Sequence, residues 1–373
     1  MSRQRLRRVL PRDMLEQYLV DSWARTLDVP SPSIDAAFAE LGGSAGHAGT
    51  IVHDLERHCA ITLHPDALAA HTRIRDLAWA LREQGRARSS APCRSFAAAP
   101  GALPFFYLHG DPNGGGHYCA RLAAALGPDV ALHALAACGP LGPAPLASVE
   151  AMATHHLRAL RAVQPRGPYW LGGYCLGGII GVEMARQLSA EGEQVKGLVL
   201  IGPRVWSRYW PLRRGCIRLQ SRLSSWLPSS QGVIDRAYLA TLERTQPGFA
   251  RWDRWRLRNA PEAERVPPGA GPARNRRPGS PTLSDPRERE RLEFWHQLVG
   301  VARLHVPRRW DGPAVILWPE GEQIQRCGDP EASWRGRLPQ FRLREIPGDH
   351  DNALVRHVDA AAAALRQVLL ESP

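Results

Sequence analysis

The sequence predicts an α/β protein: a sheet of strands alternating with helices, placed behind a small all-α unit. Three observations carry that reading. From Pro104 onward, short apolar runs alternate with amphipathic helical stretches. A glycine-rich turn at 172–178 joins one of those runs directly to a helix. Residues 12–84, by contrast, show only helical spacing, and a small, polar, proline-bearing stretch at 85–102 separates the two parts.

In the first part, MLEQYLVDSWARTL at 14–27 places apolar side chains at helical spacing and is followed by the turn residues DVPSPS. TIVHDLERHCAI at 50–61 follows a Gly-Gly turn, and RIRDLAWALREQG at 73–85 closes the unit with a glycine. In the second part, PFFYLHG at 104–110 is an apolar strand running into the loop DPNGGG. HYCARLAAALG at 117–127 is a helix with its closing glycine, and VALHALAA at 130–137 is the next strand. SVEAMATHHLRALRAVQP at 148–165 is a long amphipathic helix with Ser148 as its N-cap. The strand PYWLGG, the helix from Tyr174 to Gly192 and the strand VKGLVLIG follow in tight succession. Residues 204–310 break the alternation with Trp- and Arg-rich helical pieces around a Pro/Gly stretch at 261–286. PAVILW at 313–318, FRLREI at 341–346 and a last helix from Asn352 to Glu371 restore it.

Composition narrows the function. Hydrophobic residues make up 44% and charged residues 23%, which excludes a mainly disordered chain. No apolar run reaches the ~18 residues of a membrane span, and the basic N-terminus lacks the apolar core of a signal peptide, so a cytoplasmic protein is expected. The formal net charge of +12 is almost wholly arginine, Lys196 being the one lysine. The densest basic cluster, at 273–281, sits among Gly and Pro with no interleaved aromatics, so the charge reads as compositional bias rather than a nucleic-acid face. Seven scattered cysteines without a C-x-x-C pair argue against a disulfide framework or a metal site.

One cysteine stands in a special place. Gly173-Tyr174-Cys175-Leu176-Gly177 lies between a strand and a helix, the setting of a nucleophile elbow, G-x-S-x-G, with cysteine at its centre. The strained turn projects the central side chain, so the residues two before and two after it must be small. The helix start that follows favours a thiolate. A buried structural cysteine in a glycine-rich turn is the bland alternative. In the α/β-hydrolase order of nucleophile, acid, histidine, the histidine follows the last strand; His350 stands there, with His357 as its competitor. For the acid, Glu322 ranks first, then Glu320, then Asp329, because the strand ending in Gly202-Pro203 carries no carboxylate where many such enzymes place an aspartate. The oxyanion hole is expected from the amides of Leu176 and Asp111, with Gly114 to Gly116 letting that loop approach a substrate.

With those residues in place the chain resembles a carrier-protein domain followed by a thioesterase of the nonribosomal peptide and polyketide synthase type. GPYWLGGYCLGGIIGVEMARQLSAEGEQVKGLVLI, the HGDPNGGGHY loop and PGDH carry the thioesterase likeness. The resemblance spans the chain except 85–102 and 255–290. It implies a four-helix carrier-like domain at 1–84, a linker at 85–102, and an α/β-hydrolase domain at 103–373 with a helical lid at about 204–306. It also implies an acyl-thioester substrate and a carrier protein or synthase module in trans as partner, with neither nucleic acid nor membrane involved. The hydrolase domain would need no cofactor. Carriers bear phosphopantetheine on a serine in L-G-G-[D/H]-S-L, whereas this chain has Leu41-Gly42-Gly43-Ser44-Ala45-Gly46. Ala45 holds the attachment position and Ser44 stands one residue early, a turn of about 100° on a helix. The domain therefore reads as a degenerate carrier kept for docking or structure, with modification of Ser44 as the alternative and a plain N-cap as the bland one.

A cysteine nucleophile would conserve the thioester, leaving the acyl-enzyme nearly isoenergetic with the acyl-carrier and ready for water, an amine, a hydroxyl or another thiol. The sequence supports a thioesterase or acyltransferase acting through acyl-Cys175. A pure carrier-to-carrier aminoacyl shuttle, or a non-catalytic docking protein with decayed carrier and triad, are the other two readings.

Overall fold

The computed structural model describes residues 9–59, 67–88, 93–111, 116–135, 148–203, 307–321 and 330–371, with isolated positions between them. Among the described residues, seven strands form one sheet: β1 (Cys93–Ser95), β2 (Leu103–Leu108), β3 (Val130–Leu135), β4 (Tyr169–Tyr174), β5 (Val195–Ile201), β6 (Ala314–Pro319) and β7 (Phe341–Ile346). Their spatial order is β1-β3-β2-β4-β5-β6-β7, and every pairing is parallel except the antiparallel edge of β1 on β3. Cys93–Ser95 falls inside the stretch read as a linker, so part of that segment extends the sheet. Three residues with half-polar composition give no periodicity to read.

Among the described residues, four α-helices and a short 3-10 turn (Ala39–Leu41) make the N-terminal unit: α1 (Met14–Leu27), α2 (Ala45–Cys59), the short α3 (Ala67–Ala70) and α4 (Ile74–Arg88). Asp13 caps α1, accepting from the Glu16 amide at 3.0 Å. Arg82, 3% exposed, then bridges the carboxylates of Asp13 and Glu16 and ties α4 to the start of α1. A buried guanidinium needs such partners. In the second domain α5 (Tyr118–Leu126), α6 (Val149–Val163), α7 (Leu176–Ala190), α8 (Pro330–Trp334) and α9 (Val358–Glu371) cover the sheet. Ser148 caps α6 as expected, accepting from the Ala151 amide at 3.1 Å.

Strand side chains alternate between two cores, as a doubly covered sheet requires. Phe105 and Tyr107 face the cluster that includes α5 and α9, whereas Phe106 and Leu108 face the cluster that includes α6 and α7. The chain passes from β2 outward to β3 and then back across to β4, so the topological switch falls between β2 and β4. In open α/β sheets the carboxyl ends of the strands at that point form the functional crevice. Asp111 follows β2 and Cys175 follows β4, which brings both to the switch. The strand order, the elbow and the histidine after the last strand define an α/β-hydrolase fold.

The last helix differs from expectation in its start. Residues 350–357 are turns, and α9 begins only at Val358. Gly348 adopts φ +94°, and the Asp349 carboxylate accepts from the amides of Asp351 and Asn352 at 2.9 and 3.0 Å. This side-chain capping satisfies the backbone locally and delays the helix.

Candidate active site

The elbow is drawn by sterics. Cys175 has φ +53° and ψ −118°, a conformation that L-residues adopt only under constraint, and its amide donates to Ile201 O at 3.0 Å. A Cβ on Gly173 would lie 2.4 Å from the Gly177 carbonyl carbon, and one on Gly177 would lie 2.3 Å from Leu108 O. The two small residues that the motif demands are thus fixed by backbone they touch, as the sequence indicated. Cys175 is buried, 4% exposed, and Leu176 opens α7 immediately behind it.

His350 comes to the same end of the sheet. Its ring lies 4.7 Å, centroid to centroid, from that of Tyr174, the residue before the nucleophile. The Tyr174 hydroxyl donates to the His350 carbonyl, so the elbow itself anchors the histidine turn. His357, the competitor, packs on Gly348: a Cβ there would sit 2.7 Å from its Cδ2. Against His350 on the other side stands Gly202, where a Cβ would lie 3.2 Å from His350 Nδ1 and 3.7 Å from Pro319 Cδ. The end of β5 is therefore a place from which a carboxylate would meet the imidazole, and this chain has glycine there. Glu320 is exposed at the end of β6, its amide donating to Ile346 O at 2.9 Å. Its neighbour Gly321 donates to Gly348 O at 2.8 Å, so the β6 loop lies against the histidine turn. Glu322 and Asp329 lie outside the described residues, as do the greater part of the expected lid and Gly114 and Gly115.

The loop after β2 closes tightly on the elbow. A Cβ on Gly110 (φ +59°) would lie 1.8 Å from Tyr174 O and 3.2 Å from Gly177 N. The Asp111 amide, read as an oxyanion donor, donates to His109 Nδ1 at 3.2 Å. That bond requires an unprotonated Nδ1, and burial pushes His109 down to about 4, with His117 adding to the effect. Tyr118 Oη in turn donates to His109 O at 2.5 Å. His117 is held down to about 4 and His156 to about 3, each chiefly by burial. His109 thus stands near two further buried imidazoles that stay neutral. His109 and Tyr174 escaped sequence reasoning. The signal for the first is a histidine closing a strand just before a glycine; for the second, the variable position of the elbow motif.

The carrier-like end is also defined. Gly42 has φ +84°, and a Cβ on Gly43 would strike the Phe38 ring at 2.5 Å, which accounts for the Gly-Gly pair. Ser44 and His47 form a reciprocal cap at the start of α2: His47 N donates to Ser44 Oγ at 3.4 Å, and Ser44 N to His47 Nδ1 at 3.3 Å. Ala45, at the position where carriers bear phosphopantetheine, has no side-chain oxygen to carry a phosphodiester. The residues at the attachment position do not fit that group.

Comparison with known proteins agrees with this division. Residues 104–216 match the thioesterase domain family, and residues 17–81 match the phosphopantetheine attachment site family. The chain is 32% identical over 197 residues to a dimodular nonribosomal peptide synthase of Bacillus subtilis (strain 168), covering 51% of this chain and 8% of that protein. It is 29% identical over 198 residues to indigoidine synthase of Streptomyces lavendulae, covering 52% of this chain and 15% of that one. The chain thus spans only a small part of the length of these relatives. Among solved structures, a four-domain nonribosomal peptide synthetase aligns over 100% of this chain and 27% of its own, at 23% identity and TM-score 0.49. The NocB thioesterase domain aligns over 75% of this chain and 99% of its own, at 22% identity and TM-score 0.45. The chain thus carries a region similar to phosphopantetheine attachment domains, followed by a region similar to thioesterase domains that has an α/β-hydrolase fold. No helix among the described residues is long and apolar enough to cross a membrane.

Proposed function

We propose that the second domain is a thioesterase or acyltransferase of natural-product assembly, acting on acyl or peptidyl thioesters that a carrier protein presents in trans. The observation that carries this reading is Cys175 at φ +53° in a glycine-walled elbow, beside the histidine turn. Cys175 Sγ, its proton passed to His350, attacks the thioester carbonyl. The carbonyl oxygen gains the negative charge and faces the amides of Leu176 and Asp111, the latter given up by His109. Collapse breaks the bond to the carrier sulfur, which leaves as the thiol with the proton from His350. A water, amine, hydroxyl or thiol then loses its proton to His350 and attacks acyl-Cys175, and the thiolate departs to be reprotonated.

Of the three acids, Glu322 remains the first choice, ahead of Glu320 and Asp329. Glycine at 202 is compatible with a thiol nucleophile, because a thiolate–imidazolium pair leans on an orienting carboxylate less than a serine hydroxyl does. Ala45 supports the reading that the N-terminal domain docks rather than carries. The test is intact mass after incubation with an acyl-pantetheine thioester. An acyl adduct that disappears in Cys175→Ala supports the proposal. Wild-type protein that gains no adduct near neutral pH defeats it and favours a non-catalytic docking role.

A further inference from the structure

The N-terminal domain and the hydrolase domain share one apolar cluster, which runs from α1 through α2 and α5 to α9. Met14, Leu15 and Tyr18 of α1 and Cys59 of α2 line a small cavity whose far wall includes Asp111, Tyr118 and Leu354–Val355. Asp111 belongs to the oxyanion loop, and Leu354 and Val355 to the turns that follow His350. A charged clasp closes the same seam. Arg356 donates to the Asp21 carboxylate from Nε at 2.8 Å and from Nη2 at 2.7 Å, and the Asp21 side chain is 14% exposed. Bidentate pairs of this kind fix geometry as well as adding attraction. From the hydrolase side, Arg121 of α5 donates to Val355 O at 2.9 Å. The segment after His350 is thus gripped from both domains.

The attachment loop lies at the other end of the docked helix. Ser44 to Gly46 are exposed at the start of α2, whereas the cavity contacts come from its last turn, about 20 Å away at 1.5 Å per residue. A domain held by the wrong end of α2 cannot present that loop to Cys175 without letting go.

We propose that α1 and the end of α2 are a fixed buttress for the loops carrying Asp111 and His350. The N-terminal domain then acts on turnover in place, as a positioning element, and does not swing to deliver substrate. Asp21 and Arg356 are its positioning residues. This inference concerns docking and stands whether or not Cys175 is the nucleophile.

The test uses the full chain with Asp21→Arg, Arg356→Asp and the double charge swap. Amide hydrogen exchange is followed in peptides covering Asp111 and Leu354–Arg356. Both single variants are expected to exchange about tenfold faster there, and the swap to recover protection. With an acyl-pantetheine thioester, kcat should fall in the single variants while KM holds, because a small substrate does not contact Asp21 or Arg356. Single variants that exchange like the wild type overturn the proposal, as does lost protection that the swap fails to restore. A wild type with no turnover would sink the catalytic reading and leave the exchange result to decide the docking.

Discussion

Gly202 is the residue at which the proposed chemistry is most directly tested. With φ +48° and a Cβ direction ending 3.2 Å from His350 Nδ1, it marks where an aspartate would meet the imidazole. Gly202→Asp should therefore hold the imidazole in place and raise its pKa, since a nearby carboxylate favours the charged ring. The base is the unprotonated form, so the acid limb of the acylation pH–rate profile should move to higher pH, with faster acylation at its plateau. The left-handed backbone should cost about 1–2 kcal/mol of stability. A profile unchanged from the wild type would show that the carboxylate does not reach the ring. A second residue-scale prediction concerns His156, which is 1% exposed, held down to about 3, and has neither ring nitrogen hydrogen-bonded among the described residues. Its folded pKa lies below the unfolded value near 6.5, so the unfolded chain binds its proton first as pH falls, and stability present above pH 6.5 drains away toward pH 3. His156→Leu removes both that proton uptake and a buried unmet polar group. It should raise the urea midpoint at pH 7, and make the unfolding free energy fall less steeply between pH 6.5 and 4.5, by up to about 1.4 kcal/mol per pH unit.

At the scale of elements, what could be read in advance depended on how local the code was. The elbow was legible because Gly173 and Gly177 answer to atoms within one strand–turn–helix and its neighbour β2. The place of His350 was legible because chain order puts it after the last strand, and the fold brings its ring against Tyr174. The acid was not, because its identity depends on which of several loops approaches His350, and sequence does not state that distance. β1 was missed because three residues carry no period, and the start of α9 because Asp349 satisfies the amides a helix would have used. The attachment loop was legible down to the residue: Ser44 caps α2 and Ala45 begins it. Incubation with coenzyme A and a phosphopantetheinyl transferase should accordingly leave the wild type unmodified, and Ala45→Ser should create a modifiable hydroxyl at the family position. Intact mass reads both results, and a pantetheinylated wild type would place the group on Ser44 after all.

At the scale of the whole molecule, the seam between the domains was invisible in sequence, because Met14, Leu15 and Tyr18 read as the inner stripe of α1 rather than as a docking face. The net charge of +12 takes its meaning here. On the proposed reading, with the carrier-like domain clamped and alanine at position 45, the substrate would arrive on another protein, and carrier proteins are commonly acidic. A basic body raises the encounter rate with such a partner through a field that salt screens over about 8 Å at physiological ionic strength. It does little for a small acyl-pantetheine thioester of low charge. The two substrates should therefore separate with ionic strength: kcat/KM for an acyl-carrier should fall steeply between about 0.05 and 0.5 M salt, on the order of tenfold, while that for the small thioester stays nearly level. Because steering acts on association alone, the loss should appear in KM and leave kcat unchanged. Parallel salt curves for the two substrates would mean that the arginine excess is compositional and that recognition of the carrier rests on contacts near the active site.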